Sequence, residues 1–190
     1  SGVYAARLEA GEHKDYIPFF VRPKKGAARA PLLFLIPTLT YTAYANDRMT
    51  SFSEHEAAIK ERVLEPDPLD FYLAAQAEFG LCIYDCHADG SGVCYASRLQ
   101  PIVNMRPHYR MWLVGAPRHL GADLYLVDWL EEKGFEYDVA TDEDLHAEGE
   151  ELLKEYKAVI TGTHPEYWSG PMLRAMEGYQ RAGGRLMYLG

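Results

Sequence analysis

The pattern of apolar and polar positions divides the chain into a strand-forming start, an irregular middle and a regular second half. Residues 31–37, PLLFLIP, form a continuous apolar run between two prolines, which is typical of a strand buried on both faces of a parallel sheet. From residue 119 onward, helical and strand patterns alternate. The predicted helices are LGADLYLVDWLEEKG, TDEDLHAEGEELLKEY and PMLRAMEGYQRAGG, and the predicted strands are FEYDVA, KAVITG and RLMYLG. This alternation predicts an α/β domain with an open, doubly wound, mostly parallel sheet.

The sequence near the two ends of the chain predicts the boundaries of the α/β domain. Residues 1–22 contain two β-rich runs around a Gly-Glu-His-Lys turn, so we expect a β-hairpin that ends a preceding all-β domain. Residues 23–30 predict a linker, and residues 31–190 the α/β domain. The chain begins with Ser1, and its last predicted strand ends where a functional loop should follow. Both features indicate a piece of a longer polypeptide, with the α/β domain incomplete at its C-terminus.

The middle of the chain, residues 47–118, shows little periodicity and is rich in Pro, Gly, Tyr and Arg. Short helices are predicted near residues 54–64 and 70–78. An irregular insertion of this length is uncommon within a compact domain unless it is functional or contacts a partner. We therefore expect part of a functional site in this segment.

The amino-acid composition and the net charge argue against several classes of protein. With 190 residues, of which 48% are hydrophobic, the chain can bury one substantial core and a small appendage. The net charge of −9 argues against nucleic-acid binding, because phosphate contacts need clustered Lys and Arg. No apolar run approaches the roughly 20 residues of a membrane-spanning helix, and no signal segment opens the chain. We therefore expect a cytoplasmic protein that binds no membrane.

Three cysteines, Cys82, Cys86 and Cys94, lie within one segment of the chain. Their odd number indicates a reducing compartment rather than a disulfide framework. Together with His87 they could bind zinc, but their spacing matches no usual ribbon or finger pattern. A zinc site therefore stays an alternative.

A first polar cluster, GTHPEYWSG, follows a predicted strand, and ligands of open α/β sheets bind at such strand ends. His164 and Glu166 lie there beside Tyr167 and Trp168, whose large rings suggest a walled pocket. The plainer interpretation is a helix-capping Glu and a surface His. The adjacent aromatic residues favour the functional interpretation.

Two further clusters contain tyrosines. PTLTYTAYAND places Tyr41 and Tyr44 in a predicted loop after the first buried strand, where single tyrosines commonly pack at the edge of a core. LCIYDCHADGSGVCYASR could contain an ordinary tight turn, but we interpret it as a structured active-site loop. Its polar side chains are Tyr84, Asp85, His87 and Asp89. The sequence has no G-x-S-x-G elbow, Gly-rich phosphate loop or H-E-x-x-H motif.

Taken as a set, SGVYAARL, DYIPFFVRP, PTLTYTAYAND, DGSGVCYASR and THPEYWSGPM resemble the large (beta) subunit of the N,N-dimethylformamidase family. The likeness spans nearly all 190 residues. It implies that the α/β domain resembles the class I glutamine amidotransferase fold. It also implies a small partner subunit, self-association, and active-site residues beyond Gly190.

The resemblance further implies a mononuclear ferric (Fe³⁺) site held by two tyrosine phenolates and one glutamate. Tyr44 and Tyr84 match the phenolates and Glu166 matches the glutamate, with Tyr41 as an alternative to Tyr44. His164, two places before Glu166, matches a residue that either supports the metal ligands or transfers protons near the metal. The implied metal ligands are thus Tyr44, Tyr84 and Glu166, and the implied catalytic residues are His164 and Glu166.

This ligand set is chemically coherent. A phenol, whose ordinary pKa is about 10, binds well at neutral pH only to a strongly charged, oxygen-seeking cation such as Fe³⁺. The implied function is a metal-dependent amidohydrolase that cleaves small N-substituted amides like N,N-dimethylformamide to formate and dimethylamine with iron-activated water. His164 is then the candidate acid for the departing amine. The alternative is a non-catalytic amidotransferase-like interaction module within a larger assembly.

Overall fold

The computed structural model describes residues 1–27, 29–48 and 66–190 of the chain. These residues form two compact units. The first, which we call the sheet unit, consists of Ser1–Thr40 and Ala122–Gly190, and the second, the insert unit, consists of Tyr41–Gly121. In the described ranges, no helix combines the length and the apolar character that crossing a bilayer requires.

The secondary structure follows much of the pattern predicted from the sequence. In chain order the elements are β1 (Gly2–Ala10), β2 (His13–Val21), β3 (Leu32–Ile36), α1 (Thr38–Ala43), α2 (Pro68–Ala75), a 3-10 helix (Ala77–Phe79), β4 (Arg110–Met111), β5 (Ala116–Pro117), α3 (Leu120–Glu132), β6 (Tyr137–Thr141), α4 (Asp142–Glu148), α5 (Glu150–Leu153), β7 (Ala158–Thr161), α6 (Gly170–Arg181) and β8 (Arg185–Met187). The helix predicted at residues 54–64 lies outside the described residues.

The sheet unit contains an antiparallel hairpin and a four-stranded sheet. Strands β1 and β2 pair from Gly2↔Val21 to Ala10↔His13, which confirms the predicted hairpin. The larger sheet has the order β6-β3-β7-β8, and each adjacent pair is parallel. The parallel sheet and its intervening helices confirm the α/β prediction. The closer likeness to the class I glutamine amidotransferase fold stays a prediction.

Strand β3 lies at the centre of this sheet because its residues are apolar on both faces. Leu33, Phe34, Leu35 and Ile36 are all buried, as the uninterrupted apolar run predicts. Helices α4, α5 and α6 pack their apolar side chains against β3 and its neighbouring strands. The buried cluster consists of Leu33, Leu35, Ala140, Leu145, Leu152, Leu153, Tyr156, Val159, Met172, Ala175, Met176 and Tyr179.

The strand order determines where a ligand site is expected. The first strand of the sheet, β3, lies between β6 and β7, so the chain reverses its direction across the sheet at β3. In open parallel sheets, ligands bind beyond the carboxyl ends of the strands at such a reversal. Thr38, Asp142 and Thr163 follow β3, β6 and β7 at this edge.

Local capping explains how the helices of the sheet unit begin and end. The Thr141 side chain accepts a hydrogen bond from the Asp144 amide while the Asp144 carboxylate accepts one from the Thr141 amide, which forms a capping box at α4. The single helix predicted over residues 141–156 is broken at Gly149, whose φ of +60° favours glycine. Two short helices, α4 and α5, therefore replace one long helix.

In residues 41–48 and 66–121, the described part of the insert unit, short elements and loops predominate. Helix α2 begins at a capping box formed by Asp67 and Asp70, close to the predicted helix at residues 70–78. Strands β4 and β5 are only two residues long each. The loop predicted for PTLTYTAYAND is partly wrong, because residues Thr38–Ala43 form helix α1.

Hydrogen bonds from side chains to the backbone fix the loops around Asn46 in the described part of the insert unit. Asn46 is buried with a φ of +58°, and its amide nitrogen Nδ2 donates to the carbonyls of Phe79 and Pro101 at 3.2 and 2.7 Å. Its Oδ1 accepts from the Val103 amide at 2.7 Å. Asn104 in turn donates to the Tyr44 carbonyl at 3.0 Å. This network holds the turn after α1 in one conformation.

Candidate metal and catalytic site

Tyr44 and Tyr84 form a tight pair within the insert unit. The Tyr44 hydroxyl donates a hydrogen bond to the Tyr84 hydroxyl at 2.7 Å. The two rings are stacked, with centroids 4.4 Å apart and planes inclined by 20°. Forty residues separate them in sequence, and the Ile83 amide bond to the Ala43 carbonyl at 3.1 Å brings their segments together. The two predicted phenol ligands therefore lie side by side.

The loop that carries Tyr84 is fixed by Asp85. The buried Asp85 carboxylate accepts from the Cys82 amide at 2.9 Å and lies 3.5 Å from Arg48 Nε. The following Asp-Gly-Ser-Gly stretch forms an ordinary tight turn, in which Asp89 accepts from both the amide and the hydroxyl of Ser91. These bonds hold the pKa of Asp89 below its usual range. The tight turn is thus present, and the interpretation of the whole loop as part of an active site stays a prediction.

Tyr41, the alternative to Tyr44, has a different environment. It is buried, and its ring meets that of His119 edge-on with centroids 6.1 Å apart. Because Tyr44 is the residue whose hydroxyl contacts Tyr84, the geometry favours Tyr44 over Tyr41 as the partner of Tyr84.

Two residues beside the tyrosine pair were not anticipated from the sequence. The Arg118 guanidinium carbon lies over the Tyr44 ring, 5.0 Å from its centroid. The His119 ring lies 4.8 Å from the Tyr44 ring, and its Nε2 accepts from Arg118 Nε at 3.3 Å. Nothing in the periodicity of residues 47–118 indicates these contacts.

A cavity of about 270 Å³ adjoins the tyrosine pair. It combines two phenols, two guanidiniums and one carboxylate with an apolar wall. Its lining residues are Tyr44, Asp47, Arg48, Tyr84, Met111, Trp112, Leu113 and Arg118. Ligand cavities are commonly about 300–1,000 Å³, so this one suits a small molecule.

Glu166 and His164 lie in the sheet unit, after β7. Their side chains contact each other, with His164 Nε2 3.1 Å from Glu166 Oε2. The Glu166 amide donates to Thr40 Oγ1 at 3.0 Å, so the first turn of α1 positions its backbone. The proximity of His164 and Glu166 agrees with a shared role in proton transfer, which stays a prediction.

The sequence predicts that Tyr167 and Trp168 form the walls of a pocket beside Glu166, and this holds for Trp168 but not for Tyr167. Trp168 and Glu166 line one groove of about 520 Å³ together with Pro165, Leu173, Met176, Glu177, Gln180, Leu186 and Tyr188. Tyr167 is not among its lining residues. The Trp168 indole donates to the Pro165 carbonyl at 2.7 Å, which fixes its ring in this wall.

Asp142 anchors the start of α1 from the end of β6. Its buried carboxylate accepts from the Leu39 amide at 3.0 Å, and the neighbouring Glu143 accepts a short hydrogen bond from the Thr38 hydroxyl. Burial raises the pKa of Asp142 to about 7, and the nearby charges of Glu143 and Asp123 act in the same direction. The hydrogen bond from Leu39 opposes this shift.

The raised pKa predicts that acid stabilises this part of the fold. The folded chain keeps a proton on Asp142 that the unfolded chain releases between about pH 4 and 7, so stability should fall as pH rises through that window. Asp142→Asn should therefore melt at a higher temperature than the unmodified full-length protein at pH 8, and at a similar temperature near pH 4. Thermal unfolding at both pH values tests this, with the exposed Asp128→Asn as the matched control. A lower melting temperature of Asp142→Asn at pH 8 would contradict it.

The three cysteines differ in their surroundings. Cys82 is buried, whereas Cys86 and Cys94 are exposed, and all three are free thiols. Burial raises the pKa of the Cys82 thiol to about 12, which opposes the thiolate form that binds zinc. Across residues 1–27, 29–48 and 66–190, no group of three or more His, Cys, Asp or Glu side chains is placed to hold a metal ion. The zinc alternative therefore has no support.

The tyrosine pair fits the kind of ion that the resemblance implies. The 2.7 Å between the phenol oxygens is close to the separation of two adjacent oxygen ligands on one small cation. Phenol and carboxylate oxygens belong to the donor class that hard cations prefer. Tyr44 and Tyr84 come from the insert unit and Glu166 from the sheet unit, so the role of Glu166 as third ligand stays a prediction.

Comparison with known proteins identifies relatives along the whole chain. Residues 1–190 match the family described as N,N-dimethylformamidase beta subunit-like, C-terminal. The chain is 45% identical over 194 residues to the N,N-dimethylformamidase beta subunit of Alcaligenes sp, and 44% identical over 194 residues to that of Paracoccus aminophilus. Each comparison covers 100% of this chain and 25% of the relative. The chain thus spans about a quarter of the length of these relatives.

Proposed function

Because the chain belongs to the N,N-dimethylformamidase beta subunit-like C-terminal family, we propose that it supplies metal ligands to the active site of an amidohydrolase. The proposed substrates are small N-substituted amides such as N,N-dimethylformamide, cleaved by water to formate and dimethylamine. The observation that carries the proposal is the hydrogen-bonded Tyr44–Tyr84 pair beside a small cavity.

The proposed ion is a single Fe³⁺, held by Tyr44, Tyr84 and Glu166. Bound there, a ferric ion supplies a Lewis acid that polarises an amide carbonyl and makes water more acidic. The two tyrosines serve this role by giving up their hydroxyl protons, one of which already points from Tyr44 to Tyr84. Their stacked rings keep the two oxygens together before an ion arrives, which lowers the cost of ordering the site.

His164 is the proposed proton carrier. Its Nε2 lies 3.1 Å from Glu166 Oε2, so a proton held at Nε2 is stabilised by that carboxylate. Transfer of such a proton to the amide nitrogen lets the C–N bond break with dimethylamine leaving as a neutral amine. Imidazole suits this step because it exchanges protons near neutral pH.

The cavity beside the tyrosines is the proposed place for the acyl part of a small amide. Met111, Trp112 and Leu113 provide an apolar wall suited to the methyl groups of such a substrate. Arg118 lies on the polar side of the same cavity. A volume of about 270 Å³ leaves room for a substrate of only a few heavy atoms.

The relatives are named as beta subunits, which supports an assembly of more than one kind of subunit. We accordingly propose that the full-length chain works with a smaller partner subunit and associates with further copies of itself.

Metal analysis and visible spectroscopy of the full-length protein test the proposed function. We expect one iron per chain, an absorption band from phenolate-to-iron charge transfer, and release of formate from N,N-dimethylformamide. A colourless, metal-free protein that leaves the amide intact would overturn the proposal and favour the non-catalytic interaction module.

A further inference from the structure

We propose that Arg118 and His119 are positioning residues that hold the Tyr44 ring so that its hydroxyl stays against the hydroxyl of Tyr84. Their effect on catalysis rests on the proposed function, whereas their effect on the tyrosine pair does not. Both residues belong to the insert unit, as do the two tyrosines.

The position of Tyr44 depends on contacts to its ring. Tyr44 is half-buried, and Tyr84 is 51% exposed, so a stacked pair of this kind needs further support to keep one geometry. Arg118 lies 5.0 Å from the Tyr44 ring centroid, within the range of a cation–π contact. The His119 ring, 4.8 Å away and inclined by 37°, adds a second contact.

Arg118 and His119 also fix each other's position. Arg118 Nε donates to His119 Nε2 at 3.3 Å. This hydrogen bond to a buried ring restricts movement of the Arg118 guanidinium away from the face of Tyr44. Arg118 and His119 therefore act as one unit.

The backbone conformation of His119 also supports its positioning role. This residue has a φ of +52°, which non-glycine residues adopt rarely, and its side chain is 6% exposed. It immediately precedes α3, which begins at Leu120, and the chain is close-packed there, because a Cβ on Gly121 would lie 3.1 Å from the Tyr109 carbonyl oxygen. Such conformations persist where the surroundings over-determine them, and they cluster at functional sites. The conformation directs the imidazole toward both Tyr41 and Tyr44.

Four variants of the full-length protein separate the contribution of the Arg118 charge from that of the His119 ring. Arg118→Met removes the charge and the donor, whereas Arg118→Lys keeps a cation for the Tyr44 ring. His119→Asn tolerates a positive φ and removes the ring, and the exposed Arg98→Met is the matched control. The structure of each variant without metal gives the distance between the Tyr44 and Tyr84 hydroxyls.

We expect that distance to lengthen in Arg118→Met and His119→Asn, and to stay near its original value in Arg118→Lys and Arg98→Met. With iron bound, the charge-transfer band should shift in the first two variants, and kcat should fall by roughly 10- to 100-fold with a smaller change in KM. An unchanged hydroxyl distance in both Arg118→Met and His119→Asn overturns the inference. A protein that binds no iron overturns the proposed function instead, while the metal-free distances still decide the positioning role.

Discussion

Tyr44→Phe and Tyr84→Phe should each abolish iron binding and amide hydrolysis in the full-length protein. Either change deletes one of two oxygens that lie 2.7 Å apart and leaves the ring in place, so the stacked pair survives without its donor set. Loss of a residue that merely orients a ligand costs about 10- to 100-fold in metal affinity, and loss of the ligand itself should cost more. Iron content, the visible band and formate release measure the effect.

The control for this experiment is Tyr95→Phe, because Tyr95 lies in the same unit and is 90% exposed. It should retain iron, colour and activity. If Tyr44→Phe loses iron and Tyr41→Phe does not, the choice of Tyr44 as ligand holds. Full iron content in both Tyr44→Phe and Tyr84→Phe would refute the tyrosine site.

Glu166→Gln should also lose iron and activity, whereas His164→Gln should keep iron and lose activity. Glutamine preserves the size of Glu166 but removes the charge that a trivalent ion requires, and it leaves His164 without its carboxylate partner. Removal of a general acid typically lowers kcat by about 10²- to 10⁴-fold without touching a metal ligand. The two variants thus separate binding of the ion from transfer of a proton.

Elemental analysis and steady-state kinetics on both variants distinguish these roles, and Glu136→Gln, at an exposed position, serves as the control. If Glu166→Gln keeps its iron, the carboxylate is not a ligand. If His164→Gln loses iron as well, His164 contributes to binding of the ion, and its role is not limited to proton transfer.

The parallel sheet could be predicted from the sequence because its signals are local. The apolar run of β3 and the caps and glycines of the later helices each specify an element within a few residues. The break at Gly149 was missed, since a single glycine within a helical pattern is often tolerated. The short helix α1 was missed because its six residues are stabilised from outside, through the Asp142 carboxylate at its first turn.

The candidate site could be predicted only in part. The resemblance pointed to Tyr44, Tyr84 and Glu166, and the structure brings the two tyrosines into contact. The contacts of Arg118 and His119 arise from a rare backbone conformation and from a chain separation of more than seventy residues, neither of which periodicity reports. Such neighbours can be identified only from the three-dimensional structure.

The placement of β3 also sets the order in which the chain can fold. Leu32 pairs with Tyr137, so the central strand emerges from the ribosome more than a hundred residues before its first neighbour exists. During that interval the strongly apolar β3 segment lacks the strands with which it pairs in the folded sheet. Because strand pairings this distant in sequence form slowly, we expect the pairing of β3 with β6 to be a late step in folding.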